Sequence, residues 1–113
     1  MTSQTGIIEP PLLGMFELDG TDTVVYAHME GIGPLPDLRG RGLFERARSL
    51  SNSDELRQRI HYFRSNGASA DAFDFVCRYE GGEIPVRVLM ARVRDFAGNS
   101  GTKSILVHIR QRC

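Results

Sequence analysis

Apolar and polar positions alternate at both ends of the chain, and one helical period occupies the middle. Leu13, Met15 and Glu17 alternate with Gly14, Phe16 and Leu18, which predicts a strand over residues 12–18. Asp19-Gly20-Thr21-Asp22 follows, and Asp-Gly is a strong hairpin signal. Residues 23–29, TVVYAHM, are rich in β-branched and aromatic side chains and predict a second strand antiparallel to the first. Gly31, Gly33, Pro34 and Pro36 break any long element in residues 30–50, leaving short helical pieces such as one or two turns around Leu43-Phe44-Glu45-Arg46-Ala47. Asn52 with Glu55 forms a capping-box pattern, with Ser51 and Asp54 as the alternative frame. Leu56, Ile60 and Phe63 then recur at helical spacing, Arg57, Arg59 and Arg64 are expected toward solvent, and Asn66-Gly67 ends the helix.

The rest reads as β. Residues 72–79 form a strand, Glu80-Gly81-Gly82-Glu83 its turn, and residues 84–95 a long strand with Pro85 near its start, where a missing donor is tolerated. Val86, Val88 and Met90 share one face of that strand; Leu89, Ala91 and Val93 share the other. After a loop at residues 97–101, residues 104–110 form the last strand, with Ile105, Val107 and Ile109 on one face and His108 on the outer one. Two strands, a helical middle and three strands imply an α+β fold: a five-stranded antiparallel sheet with helices on one face. The space between sheet and helices is the natural ligand pocket.

With 113 residues there is room for one core. Residues 12–112 are expected to form one domain, preceded by an N-terminal tail over residues 1–11 that ends in an extended Glu9-Pro10-Pro11 lead-in. Fourteen Lys and Arg balance fourteen Asp and Glu, so charge gives no general pull toward nucleic acid or an anionic membrane. No apolar run approaches the roughly 18 residues a membrane span needs. The first fifteen residues lack a secretory pattern, so a cytoplasmic location is expected. Cys77 and Cys113 are expected as free thiols, Cys77 as a small core residue.

Particular residues carry a family resemblance over residues 12–112. Tyr26-Ala27-His28-Met29-Glu30-Gly31, Gly40-Arg41-Gly42-Leu43-Phe44, Asn52-Ser53-Asp54-Glu55-Leu56, Phe73-Asp74-Phe75 and Pro85-Val86-Arg87-Val88 follow one another as in the PAS family. The middle of the chain resembles the photoactive yellow protein branch. The resemblance implies a PAS fold, a role as a cytoplasmic sensory or regulatory module in signal transduction, and a pocket on the helical side. That branch attaches its chromophore to a cysteine at the position held here by Leu50, and leucine forms no thioester. The cysteine-containing run of the flavin-binding branch is absent too. A haem-binding sensor is the alternative reading, with His61 as the helical histidine, although it falls late on the helix. The cofactor therefore remains unknown.

The expected ligand pocket comprises Tyr26, His28, Glu30, Phe44, Leu50, Ile60, Phe63, Phe75 and Cys77. Tyr26, His28 and Glu30 share strand parity, so they either form a polar cluster in the pocket or leave one buried tyrosine beside two partly solvated neighbours. The apolar members either surround a small molecule or simply fill the core. His28, His61 and His108 lie on different elements, so no metal site is expected. No phosphate loop, nucleophile elbow or paired catalytic constellation is present, and no enzymatic activity is expected. A small cystatin-shaped enzyme is the competing class. The outer sheet face, with Leu89, Ala91 and Val93, and the N-terminal segment are the expected surfaces for a homodimer or a signalling partner.

Overall fold

A computed structural model describes residues 13–29, 33–34, 39–46, 50–94 and 102–112. Strands β1 (Gly14–Leu18) and β2 (Val24–Met29) form the N-terminal hairpin. A two-residue strand β3 (Gly33–Pro34), a single helical turn α1 (Leu43–Arg46) and the main helix α2 (Ser53–Ser65) follow. Strands β4 (Ala70–Tyr79), β5 (Gly82–Arg94) and β6 (Thr102–Gln111) complete the chain. The sheet is antiparallel throughout, in the order β3-β2-β1-β6-β5-β4. The α+β class and the five long strands are those read from the pattern; β3 adds a short sixth strand at one edge. The two ends of the chain meet at the centre of the sheet, where β1 pairs with β6.

Alternation fixes which face is buried. Phe16 and Leu18 from β1, Val86, Val88 and Met90 from β5, and Ile105, Val107 and Ile109 from β6 all point to the helical side and are buried. Leu56, Ile60 and Phe63 of α2 meet them there, fully buried, at the spacing of one helix face. The β2 register slips where Glu17 pairs Tyr26 but Leu18 pairs Val24, leaving Val25 as the bulged residue. Val24 therefore faces inward, and so do Ala27 and Met29 on the other side of the bulge.

The hairpin turn is built differently from the Asp-Gly signal. Asp22, not Gly20, takes the left-handed conformation, at φ +63°. Asp19 Oδ1 accepts bonds from the Thr21 amide and hydroxyl, both at 2.8 Å, and from the Thr23 amide at 3.0 Å. These donors hold its carboxyl below the ordinary carboxylate range. Gly14 is demanded by close approach: a Cβ there would run into the His28 carbonyl oxygen of the paired strand. At the end of α2, Gly67 has φ +78° in the usual left-handed place after the C-cap. None of the helices among the described residues is long and apolar enough to cross a membrane.

Candidate functional site

The inner face gathers most of the expected pocket. Phe44 from α1, Leu50 from the lead-in to α2, Ile60 and Phe63 from α2, and Phe75 and Cys77 from β4 belong to one contiguous cluster, none more than 8% exposed. Leu50, at 2% exposed, occupies the interior position where the resemblance places a chromophore-bearing cysteine. The surroundings of the Cys77 thiol are apolar enough to push its pKa up to about 11, so it is a protonated packing group rather than a nucleophile. This packed core offers apolar contact rather than acid–base chemistry.

Tyr26 and His28 are corrections to the expected pocket. They do share a parity, but the bulge at Val25 and the inward Ala27 and Met29 make it the solvent parity, and Tyr26 is 43% exposed. Glu30 lies outside the described residues. His61 is turned away from the core as well. Its side chain is 55% exposed, and Nε2 donates to Asp22 Oδ2 at 2.9 Å. Among the described residues no group of three or more His, Cys, Asp or Glu is placed to hold a metal ion.

Three polar anchors escaped the sequence pattern. Arg64, expected toward solvent, instead donates from Nη2 to Asp22 Oδ1 and to the Asp19 carbonyl, both at 2.6 Å, so the β1–β2 turn is bolted to the last turns of α2. The same turn holds the chain ahead of α1 through Leu43 N to Asp22 O at 3.0 Å and Val24 N to Arg41 O at 2.8 Å. Arg92 shares its parity with Val86, Val88 and Met90, and that was the available signal: an arginine on a buried phase. It lies over the Phe63 ring at 4.6 Å and donates to the carbonyls of Phe63, Arg64 and Ala68. A cation there complements the negative end of α2 and satisfies carbonyls that the helix cannot.

Asn52 occupies the N-cap position of α2, but no side-chain cap bond forms. Its amide is used elsewhere. Nδ2 donates to Val76 O at 2.8 Å, and Oδ1 accepts from Arg78 N at 3.1 Å. The helix start is thereby fixed to β4.

Two open surfaces lie outside this core. On the outer sheet face an apolar depression of about 520 Å³ is lined by Met15, Ala72, Leu89, Ala91, Leu106 and His108 among others. This includes Leu89 and Ala91, expected there from the strand alternation. Between α2 and β4 runs a groove of about 420 Å³ with arginines along it.

Comparison with known proteins bears on the fold. No protein-family model matches the chain, and no curated protein matches it. The chain is similar to the solved structure of Vibrio cholera VqmA in a ligand–DNA complex, with 19% identity and a TM-score of 0.61. The match covers 93% of this chain and 48% of that one, so the chain spans about half the length of VqmA. A C-terminal domain from Streptococcus mutans is similar at 19% identity and a TM-score of 0.52, covering 87% of this chain and 74% of that domain. At these identities the likeness is one of fold.

Proposed function

We propose that the chain is a PAS-type sensory or regulatory module that acts in the cytoplasm by binding rather than by catalysis. The observation that carries this reading is the sheet order β2-β1-β6-β5-β4 with α1 and α2 packed on one face over an apolar core. That is the layout the PAS resemblance implies, and VqmA, whose fold it shares, was solved bound to a ligand and DNA. Phe44, Leu50, Ile60, Phe63, Phe75 and Cys77 are the residues that would surround a small apolar ligand. The outer face and the N-terminal segment would receive a second copy or a signalling partner. A ligand that fits one packing of α2 against the sheet better than another shifts the population toward it. The position of His61, held at the surface by Asp22, gives no support to axial haem ligation.

Native mass spectrometry of the freshly purified chain tests the reading, because it reports retained small molecules and oligomeric state together. A retained ligand, or self-association across the working concentration range, is the expected result. A chain that stays monomeric, carries nothing, and takes up no apolar probe at its core would overturn it.

A further inference from the structure

We infer that the free edge of β4 takes an extended acidic peptide by strand addition. β4 ends the sheet order, so only one of its sides pairs with β5. Arg92 N donates to Ser69 O, which sets the phase: odd-numbered residues of the strand turn their backbone groups to β5, and even-numbered ones turn theirs to the edge. At one end that edge is already occupied. Asn52 bonds Val76 O and Arg78 N, two residues apart, as a residue of a parallel neighbouring strand does, and Ser51 N donates to Arg78 O at 2.7 Å. A side chain thus plays the part of a strand at the point where the row becomes available.

Beyond it, from Val76 back to Ala70, no partner among the described residues meets the edge-facing groups of Val76 N, Asp74 N and O, and Ala72 O. Ala72 N is held only by the exposed carboxylate of its neighbour Asp71, at 2.8 Å. At roughly 3.3 Å per residue this open row is about 20 Å long, enough for about six residues of extended chain.

Charge selects the occupant. The groove beside this edge is lined by Arg59, Arg78 and Arg112 against Glu55 and Asp74. Asp74 is already shared by Arg87, at 3.0 Å, and Arg112, at 3.7 Å, and Arg78 pairs with Glu83 at 3.3 Å. Arg59 has no carboxylate within ion-pair distance among the described residues. Its guanidinium lies 4.0 Å from the Phe73 ring centroid, which holds a cation at the rim of the groove. A peptide lying along β4 would pair its backbone with Asp74 and Val76 and turn acidic side chains toward Arg59. Backbone bonds would supply affinity and Arg59 the choice of sequence.

A fluorescently labelled, end-blocked peptide of alternating valine and glutamate, titrated by anisotropy into the full chain, is the test. The expected result is saturable, salt-sensitive binding with amide shifts at Asp74 and Val76. N-methylation of alternate residues along one edge of the peptide should weaken it by about tenfold or more, and along the other edge should not. Arg59→Glu should weaken it comparably and improve binding of the valine–lysine counterpart. No saturation up to about 1 mM peptide, indifference to N-methylation of either edge, or shifts confined to Leu89, Ala91 and Leu106 on the outer face would each overturn the inference. None of these outcomes depends on whether the inner core takes up a ligand.

Discussion

Asn52 shows how much one side chain decides. Its amide satisfies a carbonyl and an N–H of β4 at once, while sitting only 9% exposed. Asn52→Ala leaves both groups unpaired, at a cost of about 1–3 kcal/mol in denaturant unfolding. Asn52→Asp should rescue poorly, because a carboxylate accepts from Arg78 N but cannot donate to Val76 O. Arg92→Leu should cost a similar amount, about 1–3 kcal/mol, since it strips the carbonyls at the end of α2 of a charged donor. Hydrogen exchange would show the loss concentrated in the last turn of the helix. Cys77 gives a pH signature. Its thiol is raised from an ordinary value near 9 to about 11, so the folded state holds the proton longer than the unfolded chain. The stability this contributes is complete below pH 9 and is lost as pH climbs toward about 11. Chemical denaturation of Cys77→Ala should lack that alkaline step, and alkylation of the native protein by iodoacetamide should be slow until it unfolds.

At the scale of elements, the β1–β2 turn is the joint of the molecule. It ties α2 through Arg64 and His61 and the approach to α1 through the Asp22 carbonyl. Asp19 stabilises it in the ionised form, with a pKa lowered first by the Thr21 backbone donor and then by its hydroxyl. That contribution is present above the ordinary carboxylate pKa and disappears as pH falls through the lowered value. Acid titration followed by amide shifts should therefore loosen residues 19–23 in a step that Asp19→Asn removes. The periodicities of 2 and 3.6 made β1, β5, β6 and α2 legible, because a half-buried strand and an amphipathic helix write their burial into the sequence. The bulge at Val25 could not be read, since Val24, Val25 and Tyr26 are all suited to a strand and nothing local marks the extra residue. That single slip decides that Tyr26 and His28 face outward. The anchors formed by Arg64, Arg92 and Asn52 were hidden for another reason. Their partners lie 24 to 45 residues away, and composition does not encode such distances.

Over the whole molecule, β1 and β6 share the middle of the sheet, so the inner core and the outer face are two sides of one layer. Phe16 and Val107 on the inside alternate with Met15, Leu106 and His108 on the outside. Under the proposed function, a change in packing within the core would reach the outer surface through side chains one residue apart. This coupling is the core of the proposed sensory role, and methyl NMR reads it directly. During titration with a small apolar probe such as indole, the account predicts that methyl signals of Leu50 and Ile60 inside, and of Leu89 and Leu106 outside, shift together along one binding curve. Outer signals that move while Leu50 and Ile60 stay fixed, or inner signals that move while the outer face stays fixed, would contradict it.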